Sequence, residues 1–471
     1  MSEALPASIV AGLDQLGQTL RQWAQTHRDA PLATHEQGVL EAVRAALPAL
    51  LGAVVQESTT ALAPAQRRWR EPCPTCGTRR EARHQWRPRR VHTQCGRLRY
   101  ERPRYRCRPC RREWSPADET LGVAPRARIS RGLDAWLAEV GAVTAFAPAA
   151  RLLETLTGLR VSDETLRQHC ERQGAALEAA QQAAIARVQA TGEAATAVEA
   201  APGTLLVEAD GVMVRYRPTG WHEVKVGLVA GCVEGLLQAP SYVAAREEAA
   251  AFGPRLLTEA ARRGALEVVR WAGPRTGAGL AVLRPVVVLG DGAVWIWHLA
   301  AEHFGERVEI VDFYHASEHV WALAQALYGP GTAAAVAWAT ARLHTLRHAG
   351  GAALLAALRG LRPTTAEAKD ALRRERGYFR TNVARMAYPT FVEQGLPIGS
   401  GAVESAAKHL VQWRMKRPGA RWSPAGGQAL LTLCAHRASR PTRPTRSGEH
   451  RRQAQAASRR QHGDRAQARV A

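Results

Sequence analysis

The chain has 471 residues but no uninterrupted apolar run of the roughly 18 residues that a membrane span requires. Met1 is followed by a mixed polar and apolar stretch rather than a basic segment and an apolar core, so no secretory signal is expected. A glycine-rich phosphate loop of the Walker kind is missing, and ATP-driven chemistry is not indicated. There is no internal repeat. A disulfide framework is lacking too: four of the eight cysteines form two CxxC pairs and the others are scattered, which reads as metal binding in a reducing compartment. These absences predict a soluble intracellular protein with no membrane partner.

What is present is positive charge. The formal net charge is +22 and the pI about 10.7, with a hydrophobic fraction of 46% that supplies sizeable cores. Length alone predicts two to four domains. The charge points to a polyanionic partner, because each Lys or Arg set on a phosphate releases condensed counterions. A merely solvated basic surface is the alternative.

Residues 1–62 are Ala/Leu-rich with helical periodicity and are expected to pack or self-associate. Residues 63–118 change to an Arg-rich module carrying the CxxC pairs, and 119–190 return to helix. Residues 191–203 read as a linker that ends in Pro202-Gly203. From 204 to 437 apolar strands mix with helices, which predicts an α/β sheet domain. Within it, the stretch 317–392 is expected to be wholly helical. Residues 438–471 have almost no large apolar residues and many Arg, the composition of a disordered basic tail.

The pairs Cys73/Cys76 and Cys107/Cys110 form two knuckles whose four thiolates suit a closed, structural Zn²⁺ site. The roughly thirty residues between them fit a hairpin ribbon. Cys95 lies between the pairs as a spare thiol or an alternative ligand. The interleaved Arg79, Arg80, Trp86, Arg89, Arg90, Tyr100, Arg104 and Tyr105 suggest that the ribbon also touches nucleic acid. Around Gly158 and Ser162, two helical stretches have the length and turn of a helix-turn-helix, which would bring Arg167 and His169 near bases; two packed helices are the plainer reading.

Asp210 lies in LLVEADGVMV. A D-G pair can form a hairpin turn, but PTG at 218–220 is the better turn, which leaves Asp210 inside a strand. There a carboxylate is costly unless it binds something. Asp291 ends the strand PVVVLGDG, where α/β active sites lie, and Asp312 ends the next. Glu404 follows the GSG turn, with Lys408 and Gln412 on the same helical face. Such an acidic cluster suits phosphodiester chemistry with two Mg²⁺ (or Mn²⁺) ions, which take oxygen ligands.

Together CPTCG, YRCRPC, VSDETL, VEADGVMVRYRPTGWHEVKVG, VLGDGAVWIW, VDFYHASEHV and GSGAVESAAKHLVQWRMKRPGARWS resemble the ISKra-type insertion-sequence transposases, relatives of the Mutator-like transposases. The resemblance runs from the first knuckle to Trp422; Cys95 and the Arg-rich tail depart from it. It implies a ribonuclease H-like catalytic core with an all-helical insertion, preceded by a zinc ribbon and a helical DNA-binding region. It also implies a catalytic DDE triad of Asp210, Asp291 and Glu404, with Asp312 as the alternative second acid and His315 in a supporting or DNA-contacting role. The expected activity is cleavage at element ends followed by strand transfer, on double-stranded DNA carrying terminal inverted repeats and on target DNA. At least a dimer is expected, in the prokaryotic cytoplasm at the nucleoid. Lys408, Arg414, Lys416 and Arg417 would hold DNA backbone, or form an ordinary charged face. Two rivals share these features: a zinc-dependent DNA-binding protein without catalysis, and a ribonuclease H-like nuclease that cuts without joining.

Overall fold

The computed structural model describes residues 5–62, 73, 75–78, 83–191, 201–268, 280–282 and 286–440. Arg79, Arg80, residues 192–200 of the expected linker and residues 441–471 of the expected basic tail lie outside them. The chain is mixed α/β and divides into two compact units, Met1–Gln173 and Gly174–Ala471.

The first unit opens with helices α1 (Ala7–Thr26) and α2 (Leu32–Leu62). The long hairpin β1 (Arg83–Thr93) and β2 (Gly96–Arg106) follows, then β3 (Glu113–Trp114), which completes a three-stranded antiparallel sheet. Strand alternation sends Val91, Leu98 and Tyr100 inward, where they pack with Val55 and Leu51 of α2. The segment Leu32–Thr60 of α2 is long and apolar enough, by length and composition, to cross a membrane, although Glu36, Glu41, Arg44 and Glu57 interrupt its apolar residues. Its polar side chains are tied to the ribbon: Gln56 accepts the Glu101 N–H at 2.8 Å, and Thr59 donates to the Glu101 carbonyl at 3.2 Å.

Helices α3 (Pro116–Thr120), α4 (Arg131–Val143), α5 (Phe146–Thr157) and α6 (Asp163–Thr191) continue the chain, and the division between the units falls within α6. Gly158, at φ 74°, closes α5 in the left-handed conformation that glycine adopts without a Cβ clash. The Ser162 hydroxyl accepts the Thr165 N–H at 3.2 Å and caps α6.

The second unit is built on a five-stranded sheet. Strands β4 (Thr204–Tyr216), β5 (Gly220–Val233) and β6 (Leu236–Ala245) form an antiparallel meander. Helix α7 (Ala249–Arg262) and the small pair β7 (Leu266–Val268) and β8 (Leu280–Val282) come next. Then β9 (Val286–Gly290), helix α8 (Val294–His303) and β10 (Arg307–Val311) add two parallel strands on the other side of β4, giving the order β10-β9-β4-β5-β6. Residues of one parity, Ala209, Gly227 and Gly290, face α7 and α8, where ideal Cβ atoms at the two glycines would lie within 3 Å of Leu256 and Ile296. Residues of the other parity, Glu208 and Asp210 among them, face the opposite side.

Helices α9 (Phe313–Tyr328), α10 (Ala333–Arg359), α11 (Ala366–Thr381) and α12 (Tyr388–Glu393) fill the segment after β10. Their buried Val320, Leu323, Leu354 and Phe379 join the sheet's core. Helix α13 (Gly401–Ala406) runs into a π-helical stretch, Ala407–Gln412, and then α14 (Trp413–Met415); α15 (Pro424–Ala438) follows. A buried lock holds this unit from another side: Arg255 of α7 is fully buried and pairs with Glu178 of α6 at 2.7 Å and Glu247 at 2.5 Å.

Candidate functional site

The Asp210-Gly211 step is not a turn. Both residues pair within the β4–β5 ladder, Asp210 with Val226 and Gly211 with Lys225, and the turn falls between Tyr216 and Gly220. In the parallel β4–β9 pair Glu208 is level with Leu289. That pairing ends there; Asp210 lies two residues further along β4, and Asp291 lies just past the end of β9. Asp291 accepts the Ala293 N–H at 2.9 Å, and Gly292 follows at φ 103°, a conformation that favours glycine. Burial is the first cause that pushes the Asp210 carboxyl up, to about 6; repulsion from Asp291, Glu404 and Glu223 adds to it, against a hydrogen bond from the Gly211 N–H. The three expected acids therefore share one electrostatic neighbourhood.

Two further carboxylates place Glu404, and the sequence reading did not assign them this task. Glu208, 1% exposed, accepts the Val403 N–H at 2.8 Å. Burial pushes its carboxyl up to about 8; the Val403 bond opposes this, and Asp312 and Glu404 reinforce it. Asp312, also 1% exposed, caps α9 by accepting the His315 N–H at 2.6 Å through one oxygen and takes the Ser400 N–H through the other. The Phe313 N–H donates to the Ile398 carbonyl at 2.8 Å. The turn before α13 is thus pinned to β4 and to the start of α9, and Glu404 stands exposed one residue beyond the pinned Val403. Asp312 is buried and accepts a backbone N–H through each oxygen, which anchors the turn before α13, while Asp291 stands half-buried just past the end of β9. Alternation in VEADG carries the signal for Glu208, since residues two apart share a strand face.

His315 stands on the first turn of α9, its Nδ1 3.5 Å from Glu318 and its ring edge-on to His319. His319 stacks on Tyr378 of α11 and bonds Glu375 at 2.6 Å. The Tyr378 hydroxyl is buried without a hydrogen-bond partner among the described residues, and an ideal Cβ on Gly292 would lie 3.1 Å from it. The helical segment thereby reaches the acidic end of β9, which no spacing in the sequence announces.

The cationic residues divide. Lys408, Lys416 and Arg417 are exposed. Arg414, expected at a DNA backbone, is 2% exposed with its guanidinium over the Trp422 ring at 5.3 Å, so it belongs to the core under the π-helical stretch. Arg167 is clasped by Glu164 and Glu171 at 2.7 and 2.6 Å, and His169 bonds Asp134 of α4. Both are thus engaged within the helical bundle. Tyr100 and Tyr105 are buried and not open to stack on bases, whereas Arg104 is exposed and pairs with Glu113. Trp86 remains 44% exposed.

The sulfur atoms of Cys73, Cys76, Cys107 and Cys110 all lie within 4.8 Å of one another, with Cys73–Cys110 and Cys76–Cys107 each at 3.6 Å. Four sulfurs about 2.3 Å from a tetrahedral Zn²⁺ stand about 3.8 Å apart, so the donor set and its spacing fit a structural metal such as zinc. As free thiols they share protons unevenly. The Thr78 hydroxyl and backbone draw Cys76 down to about 6. At Cys107 the Cys110 backbone N–H also lowers the pKa, but burial and the neighbouring sulfurs outweigh it and push the thiol up to about 12. Cys95 sits in the turn at the far end of the hairpin and is no part of this group. Among the described residues no other set of three or more His, Cys, Asp or Glu side chains is gathered as tightly; the acids on the sheet are more widely set.

A mixed α/β chain with a four-cysteine cluster that could hold a metal ion is the class these features define. The model of an uncharacterised protein family, UPF0236, matches residues 74–235, a stretch that holds Cys76, Cys107, Cys110 and Asp210 and stops short of Asp291 and Glu404. No curated protein matches the chain.

Proposed function

We propose that this chain is a DDE transposase: it cuts DNA at the ends of an insertion sequence and joins the freed 3′-ends to target DNA. The observation that carries the proposal is the placement of Asp210 two residues beyond the β4–β9 pairing, of Asp291 just past the end of β9, and of Glu404 one residue after Val403, which Glu208 of β4 holds. A ribonuclease H-like core is supported by the mixed five-stranded sheet and by the helices that separate β10 from the glutamate-bearing helix.

Asp210, Asp291 and Glu404 offer only oxygen donors, the type that Mg²⁺ or Mn²⁺ takes. Two such ions, when bound, supply activation of the attacking oxygen and charge stabilisation at the leaving one. The protein's own part is placement. Glu208 and Asp312 fix the start of α13, so that Glu404 needs little reorganisation to meet the other two acids. The four-cysteine centre takes no part in the chemistry, since four thiolates leave no open coordination position.

The test is a joining assay with a precut 3′-end and Mg²⁺. A transposase joins it to a second duplex, a plain nuclease cuts without joining, and a non-catalytic DNA-binding protein does neither.

A further inference from the structure

The hairpin gathers basic side chains on the face turned away from α2. Alternation turns Val91 and Leu98 toward α2, so Arg90, His92, Arg97 and Arg99 occupy the opposite face. The register sets Arg90 directly across from Arg99 and His92 across from Arg97. Like charges directly opposite one another, as Arg90 and Arg99 are, destabilise a sheet, and the nearest compensation is Glu101, 3.8 Å from Arg99 in an exposed pair. These four residues and Arg128 line a cleft of about 480 Å³. A second cleft of about 540 Å³ adjoins it through the shared Arg128 and is lined also by Arg126 and Arg131. The one acid on its wall, Asp134, is already bonded to Arg172 and His169.

The wall between the clefts is braced. The His92 N–H donates to the Arg128 carbonyl at 2.8 Å, and the Ser130 N–H donates to the His92 carbonyl at 2.9 Å, extending the hairpin by a strand-like step. The Arg89 guanidinium holds the carbonyls of Ala124 and Ala127 at 3.0 and 2.8 Å. The cationic side chains therefore project from a braced backbone, not from a loose loop.

We propose that these joined clefts form a track for the phosphodiester backbone of duplex DNA, separate from the acidic site. Two clefts sharing Arg128 match a ligand whose charges repeat along its length better than a single small anion. Among the described residues, neither cleft is lined by Trp, Tyr or Phe. Sites for single strands stack bases on such rings, so the track meets phosphates rather than bases and is indifferent to sequence. The proposal rests on DNA being the partner, as in the function proposed above.

The test compares the full-length protein with the variant Arg97→Ala/Arg99→Ala/Arg128→Ala on a labelled random-sequence duplex, in EDTA so that no strand is cut. Affinity is measured across a salt series. Each lost phosphate contact removes about 0.9 from the slope of log affinity against log salt, so the triple variant should lose about 2.7. The corresponding triple Lys variant should restore most of the slope, because phosphate accepts a point charge. Retained zinc content and an unchanged melting temperature show that the variant is folded. An unchanged slope, a wild-type chain that fails to bind the duplex, or a site saturated by millimolar inorganic phosphate with no preference for duplex overturns the track. Duplex binding with the expected slope but no Mg²⁺-dependent cleavage defeats the transposase reading and leaves the track standing.

Discussion

Asp210, Asp291 and Asp312 look alike in the sequence, since each is an aspartate within or at the end of an apolar strand. What separates them is the fate of their oxygens. Asp312 spends both on backbone N–H groups of two segments, whereas Asp291 makes one local turn bond and stays partly open. Asp291→Asn should therefore abolish cleavage and leave the melting temperature almost unchanged. Asp312→Ala should lower stability by about 1–3 kcal/mol, because it strips partners from buried N–H groups; thermal unfolding of both variants beside a cleavage assay checks this. Arg414 was illegible for a related reason: charge is visible in a sequence, but burial over Trp422 is not. A second residue-scale prediction concerns Glu178. Burial alone would raise its carboxyl, yet hydrogen bonds from Arg255, Thr432 and Gln182 outweigh that and hold it at about 2, below the usual 4.5. Its stabilisation is complete above about pH 4.5 and is lost as pH falls toward 2. Glu178→Gln should cost about 3–5 kcal/mol at pH 7, the scale for breaking a buried pair, and the difference from wild type should shrink in denaturant titrations below pH 4.

At the scale of elements, strands with strong alternation or uniform apolarity were readable, as were the helices after β10. Strand β6 and helix α7 were not. Strand β6 carries Pro240 and a positive φ at Ala239, and its register against β5 shifts between Val229 and Gly231; an edge strand tolerates proline, but its pattern is broken. Helix α7 has Gly253-Pro254 within it, which reads as a stop. The ribbon was legible through its paired CxxC spacing, while the division of its arginines between a paired edge and an open face needed the register. Zinc belongs to this scale. The purified chain should carry about one zinc per protein, measured by elemental analysis, and Cys107→Ser should lower that content and unfold the hairpin before the five-stranded sheet. Equal zinc in wild type and variant would remove the centre from the account.

Across the whole molecule, two compact units carry different chemistry. The first holds the four-cysteine cluster and an arginine-lined face; the second holds the acids on a mixed sheet. A net charge of +22 is plain in the sequence, but where the positive charge is concentrated is not. Joining two element ends also asks for two protomers, so light scattering of the chain on paired ends should give at least a dimer. The central claim is that phosphodiester chemistry depends on the acids of β4, β9 and α13. The most direct measurement is strand cleavage of a duplex carrying the repeats that flank the coding region, in Mg²⁺, by wild type and by Asp210→Asn at equal DNA occupancy. The account predicts cleavage by wild type and a loss of at least about a hundredfold in the variant; cleavage by Asp210→Asn at the wild-type rate would contradict it.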